Sequence, residues 1–493
     1  MIVVGAGLGG LASAVRLAHA GFDVHVVEKD GGPGGRCSSI VDSGFTWDVG
    51  PTMLLFPQVL RDLFDDVGER AEDWLDLSAC SPNYRIHFPD GASLTMSSDL
   101  RAMEREFEAM AEGSFAGLRR VLALGERQKE IAFSTFLART YDRPSQMFGA
   151  KELVGIVRSK AYRSLHAVVS RHVADPRLRM ALTFQTMYLG LSPFEGPALF
   201  GLLPYTEIVD GIWYARGGLS AIATALAELA RKKGATITYG RSVRAIERSG
   251  PRTRGVLVDD GTFVPADAVL ANADWPYVER VLLGRPAVRR KFTSSAFVVL
   301  LGCGKRWDTV LHHNVFFGDD YASSFDAIFR EGRIPRSPSF YVANPVRSDP
   351  SVAPEGGSAL YVLVPVPHLP DDRAPRVGDA EFDWSDANRV RALRDEVVRR
   401  VERTIAPGLS DSLRVERWVT PLDWNARFSL EHGSAFGLAH TLDQVGAFRP
   451  SNRDRELENL YFVGASTQPA TGIPNVLVGA KHVAERIGRE LHA

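Results

Sequence analysis

Gly5, Gly7 and Gly10 fall in the run Gly5-Ala6-Gly7-Leu8-Gly9-Gly10, a G-x-G-x-x-G spacing, and Glu28 follows Gly10 by 18 residues. Glycines so spaced let a backbone turn approach a pyrophosphate closely, and an acid about 20 residues further on can accept both hydroxyls of an adenine ribose. That chemistry needs a frame. Residues 1–4 read as a short buried strand, residues 11–20 as an apolar helix ended by Gly21-Phe22, and residues 23–28 as a second strand. Strand, turn, helix, strand and acid are in register, so the run reads as a dinucleotide site with the pyrophosphate on the helix N-terminus. Pro33-Gly34-Gly35-Arg36 comes directly after. A glycine pair with a fixed guanidinium makes a second pyrophosphate clamp, for which Arg suits better than Lys. Two clamps point to FAD, and the sequence offers no second dinucleotide loop for NAD(P).

The elements that must carry this site are spread along the chain. Helical patterning covers 56–67, 100–112, 115–137, 151–171 and 176–188, and strand patterning returns at 235–239, 243–247, 255–259 and 266–271. A mixed region follows, with strands at 295–301 and 359–365 and a helix over 386–405. The chain then reads as a buried strand at 459–463, a Gly464-Ala465-Ser466 turn and a closing helix over 475–491. Strands that resume after a long helical interval predict a discontinuous Rossmann-like α/β domain. We divide the chain into FAD-binding parts at 1–75, 215–285 and 455–493, a helix-rich substrate or membrane-facing part at 76–214, and a substrate-domain sheet with helices at 286–454. The Pro/Asp-rich segment 366–378 reads as a surface loop.

Composition bounds the function. The chain of 493 residues is 45% hydrophobic and 24% charged, with 58 Lys+Arg against 59 Asp+Glu, so it reads as a folded globular protein with no nucleic-acid partner. Three cysteines are too few for a disulfide framework, which suggests a reducing, cytoplasmic setting. The chain enters a strand at Ile2 without a basic leader, so no signal peptide is expected. No apolar run reaches the length of a membrane-spanning helix, about 18 residues. The 12 histidines lack the spacing that places two ligands on one helix face, and His166, His172 and the pair His312-His313 read as ordinary core or surface residues. No metal is expected.

Together these residues resemble the phytoene desaturase family of FAD-dependent carotenoid desaturases, within the larger fold group of flavin amine oxidases and GDP-dissociation inhibitors. The likeness rests on the Gly5/Gly7/Gly10 loop with Glu28, on Gly34-Gly35-Arg36, and on Phe45-Thr46-Trp47-Asp48-Val49-Gly50-Pro51-Thr52. It continues through the central run from Phe184 to Pro193, through Gly211-Ile212-Trp213-Tyr214-Ala215-Arg216-Gly217-Gly218, and into the block from Leu460 to Pro469 with Gly472-Ile473-Pro474. The central block and the ending are similar to the fungal-type branch. The resemblance implies an amine-oxidase-like fold whose helix-rich insertion walls a long apolar tunnel. It also implies cofactor contacts from Gly50, Pro51, Thr52, Arg216, Val243, Gly464, Ala465, Gly472, Ile473 and Pro474. The chain departs from the family at Gln468, where His is usual, at Ala470, where Gly is usual, and at Ala215, where Pro is usual. The run from Gln468 to Thr471 is expected beside the flavin ring, which opens a different substrate or outcome.

Desaturation sends a hydride to the flavin and a proton elsewhere, so few polar catalysts are needed. By the same resemblance Arg163 falls within the helix wall at a position similar to an active-site Arg of bacterial desaturases, and it reads equally as a solvated helical residue. Glu207 and Asp210, just before Trp213, are the carboxylates to test as bases. In 151–171, Leu153, Val154, Ile156, Val157, Tyr162, Leu165 and Val168 alternate with cations, a mixture that can lie on an anionic bilayer or form the solvated face of a core helix. The leading expectation is an FAD-dependent desaturase of an isoprenoid polyene such as phytoene, passing electrons to oxygen or a quinone. Two alternatives stand beside it: a related flavoenzyme acting on a polyketide-derived polyene, including reductive cyclisation of a polyene tetramate, and a non-catalytic prenyl-binding protein of the same fold.

Overall fold

A computed structural model describes residues 1–287, 289–370 and 382–491. Its first layer is a parallel sheet of five short strands in the order Leu460–Phe462, Val269–Ala271, Ile2–Val4, His25–Val27, Thr236–Thr238. Parallel strands need crossovers. Helix Leu8–His19 supplies the first, and it packs with Ser220–Lys232 and Ile473–Leu491 on one face of the sheet around Leu11, Val15, Leu226 and Leu477. An antiparallel sheet of Val243–Ser249, Arg252–Val258 and Phe263–Pro265 covers the other face through Ile246, Val256 and Val258. This domain is therefore assembled from three stretches of sequence, as strands resuming after the helical interval led us to expect.

The second layer is a seven-stranded mixed sheet, in the order Leu413–Val419, Ser295–Cys303, Ser358–Val366, Phe340–Ala343, His313–Phe316, Tyr84–His87, Ser93–Met96. All nine residues of Ser295–Cys303 are buried, which explains its unbroken apolar text: both faces are covered. Phe297, Val299 and Leu301 face helix Ala387–Thr404, while Ala296, Val298 and Leu300 point to the opposite side. Helices Leu100–Met110, Ser114–Ile131, Ala150–Ser159 and Leu202–Val209 form the third layer.

Several expectations need correction here. The stretch 151–171 is two helices, Ala150–Ser159 and Leu165–Val169, separated where Lys160 takes a left-handed conformation with φ 57°. The stretch 176–188 divides into Pro176–Ala181 and a 3-10 segment Phe184–Leu189. Strands Tyr84–His87 and Ser93–Met96, inside a part read as helix-rich, complete the seven-stranded sheet, and Leu77–Ala79 pairs with Trp213–Ala215. From residue 371 onward the loop read at 366–378 lies outside the described residues. Among the described residues, no helix is long and apolar enough to cross a membrane.

One contact ties the layers together. Strands Ser39–Asp42 and Phe45–Asp48 form a hairpin whose turn residues Ser43 and Gly44 both have positive φ, as a tight two-residue turn requires. At its end Asp48 accepts the amides of Leu219 and Ser220 at 2.9 and 3.0 Å, capping helix Ser220–Lys232. Gly218 must be glycine, because a Cβ there would lie 2.8 Å from the Asp48 carboxylate. Replacing Asp48 with Ala should therefore lower unfolding free energy by about 2 kcal/mol, the upper range for a lost helix cap. Urea unfolding checks this, and an unchanged midpoint would remove Asp48 from that role.

Candidate functional site

A large cavity of about 470 Å³ borders both the five-stranded and the seven-stranded sheet. That volume lies within the roughly 300–1,000 Å³ of a small-molecule site, and the lining runs from the glycine turn to residues of the helical layer. Its ends differ in chemistry. The charged residues bordering it are Glu28, Lys29, Asp30, Arg36, Arg241 and Asp274, all at the end formed by the glycine turn, whereas Leu55, Phe56, Phe184, Leu203, Phe317 and Phe325 line the far end.

The glycine turn meets the geometric demands of a phosphate cradle. Helix Leu8–His19 begins at Gly7 with no side-chain cap and no acid in its first turn, which leaves its first amides open to the cavity. A Cβ on Gly7 would lie 2.6 Å from Asn272 Oδ1. Gly10 does not border the cavity; a Cβ there would overlap the Gly5 carbonyl, so this glycine serves the packing of helix on strand. Glu28 accepts the amides of Ala6 and Asp30 at 2.6 and 2.8 Å and borders the cavity, which keeps acceptor capacity beside the glycine turn. Burial raises its pKa above the ordinary value.

Arg36 supplies the test of whether an anionic dinucleotide fits. Its guanidinium borders the cavity and donates to the Ala435 carbonyl at 3.1 Å, but among the described residues it forms no ion pair. Asp274 is within electrostatic reach only, and burial holds the Arg36 pKa below its ordinary value. A cation half withdrawn from water without an anion is costly, and a pyrophosphate would compensate it. Gly34, Gly35, Gly50, Pro51, Thr52, Val243, Gly464, Ala465, Gly472, Ile473 and Pro474 also border this cavity. FAD fits the residues present.

The polar catalysts read from the sequence do not reach the cavity. Glu207 is fully buried behind the Tyr188 ring, where its carboxylate accepts from Tyr84 and Gln185 at 2.9 and 3.0 Å. Burial raises its pKa to about 7. Asp210 ends helix Leu202–Val209 and pairs with Lys129 at 2.5 Å, outside the cavity. Arg163 lies in the turn between two helices with its guanidinium over the Tyr162 ring, likewise away from the cavity. Arg216 is 61% exposed, pairs with Asp76 at 2.6 Å and does not border the cavity.

The departure at Gln468 has a structural account. Its Oε1 accepts the Tyr141 amide at 2.7 Å and its Nε2 donates to the Tyr141 carbonyl at 2.8 Å, which pins the loop before residue 144 to the C-terminal turn. Gln468 and Ala470 do not border the cavity; Thr471 does. The sequence reading missed Asn272, whose amide nitrogen donates to the Val463 carbonyl at 3.0 Å, and the tyrosines Tyr188, Tyr321, Tyr341 and Tyr361 of the cavity wall. It also missed that Cys80, His312 and His313 come within 4.8 Å of one another, since they are far apart in the chain.

Comparison with known proteins fits this geometry. Residues 8–488 match the family described as flavin containing amine oxidoreductase. The chain is 48% identical over 501 residues to the zeta-carotene-forming phytoene desaturase of Myxococcus xanthus, covering 100% of this chain and 94% of that protein. It is 36% identical over 509 residues to the phytoene desaturase of Fusarium fujikuroi, covering 99% and 89%. Among solved structures, putrescine oxidase bound to putrescine superposes with a TM-score of 0.65 at 16% identity, covering 100% of this chain and 98% of that one, which shows a shared fold.

Two outcomes follow. Gly7→Val should yield folded protein without bound flavin, read as the ratio of absorbance at 450 to 280 nm; full occupancy would show the cofactor site to be misplaced. Glu207 has a folded-state pKa above its ordinary 4.5, so its stabilising contribution is fully present at low pH and lost as pH rises through 7. The loss is ~3 kcal/mol. Glu207→Gln should therefore lower the melting temperature most near pH 5 and least near pH 8.5.

Proposed function

This chain belongs to the flavin containing amine oxidoreductases and, among them, to the phytoene desaturase family, and from that premise we propose that it desaturates a long apolar isoprenoid polyene such as phytoene. The protein is an FAD-dependent oxidoreductase acting on CH–CH bonds. The observation that carries the substrate class is the continuity of one cavity from a charged glycine turn to a far end walled by apolar and aromatic side chains.

When bound, FAD supplies a two-electron acceptor for the hydride. The chain's own residues bind and orient. In our reading Gly5, Gly7, Gly34, Gly35, Arg36 and the first amides of helix Leu8–His19 take the pyrophosphate, Glu28 takes the ribose, and Val243 borders the adenine. Gly50, Pro51, Thr52, Gly464, Ala465, Gly472, Ile473 and Pro474 then flank the ring system. Gly10 supports this set from behind by letting the helix pack closely on the strand. Leu55, Phe56, Phe184 and Phe317 hold the polyene and exclude water, so holding the substrate in line with the ring is their main contribution. Electrons leave to oxygen or a quinone, there being no second dinucleotide turn in the sequence.

A substrate dissolved in lipid must be met at a bilayer, and helix Ala150–Ser159 suits that task. It is apolar on its outer side: Leu153, Val154 and Val157 are 45%, 53% and 63% exposed, while Glu152, Gly155 and Ser159 face inward. Phe148 and Tyr162 flank it, and Lys151 and Arg158 supply charge for anionic headgroups. Gly155 packs on Ile131 and Phe136, and the adjacent Phe133 meets Phe56 of the cavity wall at 5.3 Å between ring centroids. This helix therefore joins lipid to cavity through a few side chains.

The decisive experiment mixes FAD-loaded protein anaerobically with phytoene in liposomes. Bleaching of the flavin with new visible polyene absorbance is expected; a flavin that stays oxidised would overturn the substrate. In vesicle sedimentation, Val154→Asp with Val157→Asp should weaken binding to anionic liposomes at least about 10-fold, given the burial free energy of two such side chains. Equal binding by this variant would dismiss the helix as the lipid contact.

A further inference from the structure

The far end of the cavity lacks a carboxylate, since the acids bordering it among the described residues are Glu28, Asp30 and Asp274 at the glycine end. Desaturation still releases a proton from the carbon beside the one that gives up hydride. The hydroxyls nearest the apolar wall are the candidates to receive it. Those of Tyr188 and Tyr321 are buried away from the cavity, against Glu207 and Thr183. That of Tyr361 is spent on the Gly50 carbonyl at 3.1 Å. Tyr341 differs. It is half-buried in the cavity wall, its oxygen is 2.9 Å from Thr52 Oγ1, and it is 2.6 Å from Nδ1 of His313.

The sheet explains why the two meet. Strand Phe340–Ala343 pairs with His313–Phe316, Val315 opposite Tyr341 and Ala343 opposite His313, so Tyr341 and His313 are diagonal neighbours on one face. That face also carries Tyr361 and Leu363 toward the cavity. His313 is fully buried, its Nε2 has no hydrogen-bond partner, and the His312 ring lies 4.2 Å away between centroids.

We infer that Tyr341 and His313 form a proton-accepting pair for the desaturation, with Tyr341 as the catalytic residue and His313 as the positioning base behind it. This rests on the polyene desaturase reading above. As the hydride leaves one carbon for the flavin, the neighbouring C–H bond breaks toward the Tyr341 oxygen. The Tyr341 O–H proton passes at the same time to His313 Nδ1, and the electron pair left behind becomes the new double bond. The two electrons go on to oxygen or a quinone, which also takes two protons, one being the proton stored on His313. Burial keeps His313 neutral at rest, hence able to accept, and makes the stored proton short-lived. The groups facing the pair are His312, Cys80, Asp48, Thr52 and Tyr361.

The pair requires a tautomer. Nitrogen-15 spectra of histidine-labelled protein, with His313→Gln to assign the signal, should show Nδ1 unprotonated and Nε2 protonated, with and without FAD; a protonated Nδ1 overturns the relay. In single-turnover reactions Tyr341→Phe should slow desaturation about 100-fold, within the range for a lost acid or base. Flavin content and substrate KM should stay within about twofold. The Tyr341→Phe, His313→Gln double variant should be no slower than the slower single one, and a solvent deuterium isotope effect seen in the wild type should vanish in Tyr341→Phe. Wild-type rates in Tyr341→Phe, or additive losses, would refute the pair. Wild-type protein inert toward phytoene would instead refute the substrate reading, leaving the tautomer to decide the pair.

Discussion

Asn272 lies where strands Ile2–Val4, Val269–Ala271 and Leu460–Phe462 end side by side, and its side chain fills the space that several glycines leave open. Hypothetical Cβ atoms on Gly7, Gly9 and Gly464 would come within 2.6, 2.8 and 3.3 Å of its amide. Its backbone amide donates to Val4 and its side chain to Val463, so one residue binds the first, middle and last stretches of the dinucleotide domain. The position of the phosphate turn is set by this contact. An amide suits it because it donates without adding negative charge where pyrophosphate would lie, whereas a carboxylate of the same shape would repel it.

How much could be read beforehand depends on the range of the interactions. The turn from Gly5 to Gly10, Glu28 and the clamp at Gly34-Gly35-Arg36 are local patterns, readable from neighbouring residues, and they border or support the cavity. Asn272 carries no local signal, because its importance comes from glycines 192 or more residues away in the chain. Strands such as Tyr84–His87 and His313–Phe316 were illegible for a similar reason: four residues that pair across more than 200 positions have no periodicity to measure. Glu207 and Asp210 looked alike in the text, yet helix Leu202–Val209 turns one into the core and ends at the other near Lys129. Direction around a helix axis decided their fates.

Charge is segregated along the cavity, and the C-terminal turn illustrates how. Arg449 is almost fully buried and donates to the carbonyls of Thr467, Ala439, Leu438 and Ala465, tying the turn that carries Gly464 and Ala465 to the neighbouring loop. Burial depresses its pKa to about 9. Backbone dipoles rather than a carboxylate satisfy it, and Asp274 contributes only at a distance. Positive potential from Arg36 and Arg449 thus accumulates beside the glycine turn, where an anionic cofactor would lower the energy of both, and the far end is left without ions.

That arrangement limits the chemistry the far end can support. Burial alone raises Glu207 to about 7 and Asp48 to about 6 even with two or three hydrogen bonds each, so an isolated carboxylate on the apolar wall would be protonated and useless as a base at rest. A group that is neutral while idle avoids this cost. An imidazole behind a phenol satisfies the condition, since neither carries charge until the proton moves, and both pack as rings against a polyene or against each other. The same low dielectric that excludes a carboxylate strengthens the interaction between the proton in transit and the lone pair aimed at it. A cavity built to dissolve a hydrocarbon therefore favours Tyr341 and His313 over the acids that the sequence alone brings to notice.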